Sequence, residues 1–137
     1  MPKTVRPSKK QRASRVTPAR KLAFSVLEDI RCHKVFLEQA WNRGAKALSL
    51  PPAEKAFARL LTTEVVSRRG SLDILINRVL KSPDDIQDDV RNALRISFVE
   101  LFYLNKSAHV VSHEGVELVR SFAPKAAGVA NFALRRA

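Results

Sequence analysis

The sequence predicts an all-α fold, a compact bundle of about seven helices preceded by a disordered basic arm. Three observations predict it. From Thr17 onward apolar residues recur at steps of three and four, no stretch sustains period-two alternation, and the interruptions are short clusters of Pro, Gly, Ser and Asn. At 137 residues there is length for one domain, which can withdraw roughly two-thirds of its unfolded surface from water without disulfides or metal.

Residues 1–16 lack periodic apolar positions and hold Pro2 and Pro7, so they are read as the arm, with residues 17–137 as the folded domain. Thr17 is placed to cap a first helix whose opening residue, Pro18, sits where a missing N–H costs nothing, and Leu22, Val26, Leu27 and Ile30 share one face of it. A second helix runs from Val35 to Arg43, with Phe36, Leu37, Ala40 and Trp41 apolar, until Gly44 weakens it. After Pro51-Pro52 a longer helix turns Phe57, Leu60, Leu61 and Val65 inward and leaves Arg59, Arg68 and Arg69 elsewhere on its surface. Gly70-Ser71 reads as a break. The fourth stripe, Leu72, Leu75, Ile76, Val79 and Leu80, ends at Ser82-Pro83. Asp84 and Asp85 then supply the negative charge that favours a helix start. The helix they open, with Ile86, Val90, Leu94, Phe98, Leu101 and Phe102 inward and Arg91, Arg95 and Glu100 off the stripe, is the central core helix. Asn105 to Ser107 ends it. Two short helices follow, one carrying Val111, Val116, Leu118 and Val119 and one carrying Val129, Phe132 and Leu134 after Pro124.

Charge is distributed unevenly. The net charge is +12, and the first 21 residues supply +8 of it with no acidic residue, leaving +4 for the other 116 positions. Such an arm is cheap to bring to a phosphate backbone, and having no Leu, Phe or Trp it is a poor membrane anchor. No apolar run approaches the ~20 residues of a membrane span, and one cysteine excludes an internal disulfide, so a cytoplasmic protein is expected.

Catalytic signatures are lacking. His109 and His113, four apart, are too few for zinc, and Glu114 follows the pair instead of lying between its members. Cys32 beside His33 has no third partner and reads as a half-buried structural cysteine. The four glycines, at 44, 70, 115 and 128, form no phosphate-cradling loop, and the aspartate pairs at 84–85 and 88–89 read as helix-start charge. Neither catalysis, a metal nor a bound cofactor is expected. The basic residues are more informative. Lys9, Lys10, Arg12 and Arg15 in the arm, Arg20 and Lys21 at the foot of the first helix, Arg68 and Arg69 at the glycine break, and Arg135 and Arg136 at the end are the candidate nucleic-acid contacts. Aromatic residues fall mostly on core stripes, so phosphate and shape contacts are expected over base stacking.

Five segments, in order, resemble the NusB-like helical domain: Thr17-Pro18-Ala19-Arg20-Lys21-Leu22-Ala23, Val65 through Asp73 with Arg68-Arg69-Gly70-Ser71 at its centre, Val90-Arg91-Asn92-Ala93-Leu94-Arg95-Ile96, His109 through Leu118, and Asn131-Phe132-Ala133-Leu134-Arg135-Arg136. The opening, the Arg-Arg-Gly-Ser-Leu-Asp stretch and the ending are most similar to the N-terminal domain of RsmB/Sun-type ribosomal RNA cytosine-C5 methyltransferases. Val110, His113 and Gly115 stand where the family more commonly has Ala, Asn and Ala. The resemblance implies an RNA-recognition module without paired catalytic cysteines; S-adenosylmethionine would belong to a catalytic domain beyond Ala137. It also implies, as a second reading, an antitermination factor that binds boxA RNA with ribosomal protein S10. A third reading is a helical protein-interaction scaffold whose arm aids solubility.

Overall fold

The computed structural model describes residues 16–137, which form six α-helices and two 3-10 turns with no strand among them. The helices are α1 (Pro18–His33), α2 (Leu37–Ala47), α3 (Pro52–Val79), α4 (Asp88–Phe102), α5 (Ala108–Phe122) and α6 (Ala127–Arg136), with turns at Pro83–Asp85 and Pro124–Ala126. Six replace the expected seven because the segments on either side of Gly70-Ser71 belong to one helix. Only Arg68 departs from helical geometry (φ −113°, ψ 17°), so the expected break is a kink, placed two residues before the glycine. The arm expected over residues 1–16 lies outside the described residues except for Val16. That residue is buried in the main core, so the folded body starts one residue before the expected boundary.

Helix α4 is the centre of the bundle. Nine consecutive residues from Asn92 to Glu100 are buried, so no solvent face exists along this stretch and the helix is wrapped by its neighbours. The main core joins Leu94, Phe98 and Val99 of α4 to Leu61, Leu72 and Ile76 of α3, Leu118 and Val119 of α5, and Ala130 and Leu134 of α6. A second core lies between α1, α2 and the start of α3, around Leu22, Val26, Ala40 and Ala58. Here Gly44 keeps α2 close to α1: a Cβ on it would lie 2.8 Å from Val26 Cγ2 and 3.0 Å from Leu22 Cδ1. The glycine that reads as a weak point in the sequence sits inside α2 as a packing surface.

Helix termini also differ from expectation. The Thr17 side chain does not cap α1; Glu54 accepts the Ala19 N–H instead (3.2 Å), and Thr17 Oγ1 receives the Arg20 guanidinium (2.6 Å). Asp84 and Asp85 form the 3-10 turn, and α4 opens on the next aspartate pair, with Asp89 Oδ1 accepting the Val90 N–H at 2.7 Å. Negative charge does mark the start of α4, four residues later than predicted. Cys32 is exposed, not half-buried. Phe36, Leu60, Phe102 and Val129, expected inward, are exposed.

Candidate nucleic-acid interface

Three groups of basic side chains need placing. The first is interior. Arg20 donates from Nε to Glu100 Oε2 (2.9 Å), from a terminal nitrogen to Glu100 Oε1, and from the other to Glu114 Oε1 (3.1 Å). Its side chain is 8% exposed, and those of Glu100 and Glu114 are 1% and 9% exposed. Burial alone would lower the guanidinium pKa, but the Glu100 hydrogen bonds and the surrounding carboxylates raise it above its ordinary value. Arg20 therefore ties α1 to α4 and α5 and is not available to a phosphate, which corrects the expectation for this residue. Lys21, next to it, is half-buried.

The second group is built by the kink in α3. Arg68 is exposed, donates from Nε to Glu64 (2.6 Å), and lies 4.0 Å from the centroid of the Tyr103 ring, where the quadrupole of the ring favours a cation. The hydrogen bond it donates to Glu64 raises its pKa. Arg69 is exposed at the edge of a cavity of about 140 Å³ that it shares with Arg31, Asn92 and Arg95 over a floor including Leu27 and Val65.

Behind that cavity runs a chain of hydrogen bonds crossing three helices. Arg95 grips Asp73 with two nitrogens (2.8 and 3.0 Å) and donates a third to Asn92 Oδ1 (2.7 Å); Asn92 Nδ2 donates to Glu28 Oε2 (2.8 Å), and Glu28 is held by Arg31 (2.6 Å). Arg91 adds a longer contact to Asp73 (3.4 Å). Partial burial pushes the Asp73 carboxyl up, yet the Arg95 hydrogen bonds, with the charges of Arg95 and Arg91, outweigh it and hold the pKa below the ordinary range. Glu28 is likewise lowered against burial, by its bonds from Arg31 and Asn92. A fork-to-carboxylate grip fixes Arg95 in orientation as well as charge. The result is a small cavity with a hydrogen-bonded rear wall and Arg69, which has no carboxylate partner among the described residues, at its rim.

The third group lies at the far end of α6. Arg135 and Arg136 are exposed; the Arg136 guanidinium is 5.2 Å from the Phe132 ring centroid, and Lys81, from the loop after α3, is also 5.2 Å from it. Lys9, Lys10, Arg12 and Arg15 lie outside the described residues.

Of the residues lining this cavity, the sequence names Arg69 and gives no signal for Arg31, Asn92 and Arg95. Their partners Glu28 and Asp73 are separated from Asn92 and Arg95 by 64 and 22 positions, so no local spacing marks them. His109 and His113 are both exposed, and among the described residues no group of three or more His, Cys, Asp or Glu is placed to hold a metal ion. No described helix is long and apolar enough to cross a membrane.

Comparison with known proteins follows the same lines. A sequence model of the NusB family matches residues 17–137. The Synechocystis sp. protein named "Probable ribosomal RNA small subunit methyltransferase B" is 31% identical over 121 residues, which is 86% of this chain and 27% of that protein. A chain from "Crystal Structure of a Plectonemic RNA Supercoil" superposes with a TM-score of 0.77 at 27% identity, covering 86% of this chain and 89% of that one. A chain from "Crystal Structure of Antitermination Factors NusB and NusE in complex with dsRNA" superposes at 0.76 with 25% identity, covering 94% and 96%.

Proposed function

The chain belongs to the NusB family, and from that premise we propose that it is an RNA-binding module that positions ribosomal RNA for cytosine methylation performed by a separate catalytic domain. The observation that carries this reading is the shape of the methyltransferase match: nearly the whole chain, 86%, aligns with 27% of the relative. A segment of that proportion corresponds to one module of the relative. The electrostatics support an RNA partner. The described residues hold 19 basic against 13 acidic side chains, and Arg69, Lys81, Arg135 and Arg136 have no carboxylate partner among them. Phosphate contacts from these side chains supply attraction without sequence preference, and the rigid Arg95–Asn92 wall gives the cavity beside Arg69 a fixed shape that can select geometry. S-adenosylmethionine, on this reading, is bound by the catalytic domain, and the module works in the cytoplasm.

A second reading has its own support. The NusB chain solved with NusE and double-stranded RNA matches this chain over 94% of its length and is itself covered to 96%, so a free-standing antitermination factor binding boxA RNA with ribosomal protein S10 is equally compatible in size. One titration separates the two. Affinity is measured for a small-subunit ribosomal RNA fragment and for a boxA RNA, each with and without S10. The methylation reading expects tighter binding to the ribosomal fragment and no effect of S10. At least a tenfold gain for boxA RNA on adding S10 would instead establish the antitermination reading.

A further inference from the structure

The loop after α3 and the first turns of α6 enclose a second cavity, of about 360 Å³, that none of the readings above uses. Its walls are mostly apolar: Leu80, Ile86, Val129 and the Phe132 ring, with Lys81, Ser82 and Asp85 as the polar members. Val129, although apolar, is 40% exposed, and a Cβ built on Gly128 meets nothing within 4 Å, so this part of α6 faces open space. Lys81 and Arg136 stand beside the same ring, each 5.2 Å from its centroid, and neither has a carboxylate partner among the described residues. The arrangement is a mostly apolar slot with Asp85 and Lys81 in its lining and Arg136 beside one of its walls, the Phe132 ring.

We propose that this cavity receives one unpaired nucleobase bearing an exocyclic amino group, with Lys81 and Arg136 taking the phosphates on either side; the inference rests on the RNA-binding reading above. Each feature answers one part of such a nucleotide. A base has an apolar face for Val129 and Phe132 and a polar rim, and stacking on an aromatic ring is the common way proteins hold bases that have left a helix. Asp85 can only accept hydrogen bonds when ionised, so it favours the amino edge of cytosine over the carbonyl edge of uracil. The cations meet backbone charge that an acidic peptide could also bring, but a nucleotide carries that charge on its phosphates and brings a donor amino edge for Asp85, which an acidic side chain lacks.

The test compares wild type with Gly128→Leu and Asp85→Asn, using oligo(C) and oligo(U) single strands of about ten nucleotides and a duplex of equal length. Gly128 lines the cavity and a Cβ on it meets no atom within 4 Å, so leucine there adds bulk at the lining, and circular dichroism checks that the helical content is unchanged. Wild type is expected to bind oligo(C) about fivefold more tightly than oligo(U), and Asp85→Asn to remove that preference. Gly128→Leu is expected to weaken oligo(C) about tenfold while leaving the duplex unaffected. Equal affinity of wild type for the two single strands, or a Gly128→Leu protein that binds oligo(C) as wild type does, overturns the slot while leaving RNA binding standing. If wild type binds no RNA at low salt, the underlying reading fails and the slot fails with it.

Discussion

Arg20 is the residue at which sequence and structure diverge most. A cation at the foot of a helix, beside Lys21 and downstream of six more basic residues, has the local setting of a surface contact, yet its side chain lies between two buried carboxylates 80 and 94 positions away. Nothing within a turn of Arg20 encodes that destination. Removing it leaves Glu100 and Glu114 facing each other without a counter-charge, so Arg20→Ala is expected to cost on the order of 3–5 kcal/mol in urea denaturation. Arg20→Lys, which keeps the charge but not the fork, should cost less. RNA affinity of whatever fraction remains folded should not change; a selective loss of RNA binding at full stability would return Arg20 to the surface.

Asp73 gives the same scale a pH signature. Its pKa is held below the ordinary 3.8 in the folded state, so the stabilisation is fully present above that ordinary value and is lost as pH falls through the lower folded value. Glu28, lowered from 4.5, acts in the same direction. The urea midpoint of wild type should therefore be flat from neutral pH down to about 5 and fall below it. Asp73→Asn should lower the plateau by on the order of 2 kcal/mol and shallow the acid decline, because the Arg95 fork loses its charged partner at every pH. An acid decline of unchanged steepness in Asp73→Asn would show that Asp73 is not one of its causes.

Among the elements, the amphipathic helices were legible and their packing was not. Leu22, Val26, Leu61, Leu72, Ile76, Leu94 and Phe98 were expected inward and are fully buried, because a period of three to four needs only local sequence. Helix α4 shows the limit. Val90, Leu94 and Phe98 of its expected stripe are buried, but Phe102 is exposed and Ile86 lies before the helix starts, while Arg95 and Glu100, off the stripe, are buried, since a helix surrounded on all sides has no solvent face. The kink at Arg68 was legible within two residues through Gly70-Ser71, whereas its consequence, Arg69 beside the Arg95–Asn92 wall, depended on α1 and α4 and was not. Phe132 shows the same thing from the other side: as one member of a core stripe it argues against stacking, yet it is only half-buried and lines a cavity with Lys81 and Val129.

The two glycines of α2 and α3 test this packing in opposite directions. Gly70 has helical backbone and open space around it, so Gly70→Ala should stabilise by about 0.5–1 kcal/mol through helix propensity and the unfolded chain. Gly44→Ala drives a methyl group into Val26 and Leu22 and should destabilise by about 1–3 kcal/mol despite the same gain in propensity. Both are read from thermal or urea unfolding. Equal and favourable effects would mean that α1 and α2 pack less closely than described.

For the whole molecule, the charge balance separates attraction from recognition. Residues 1–21 hold +8 of the net +12, and within the body eight arginines are already in ion pairs with carboxylates, among them Arg20, Arg91 and Arg95. Of the candidates named from sequence, Arg68, Arg69, Arg135 and Arg136 are exposed on described helices, and Arg69 alone rims a cavity with further arginines in it. The central claim is that the folded body contacts the RNA backbone through the kink of α3. The slope of log affinity against log salt, measured for a ribosomal RNA fragment with wild type and with Arg68→Ala/Arg69→Ala, tests it most directly. The account predicts a slope shallower by about one to two in the double variant and an affinity weakened about tenfold at low salt. Identical slopes and affinities for the two proteins would contradict it.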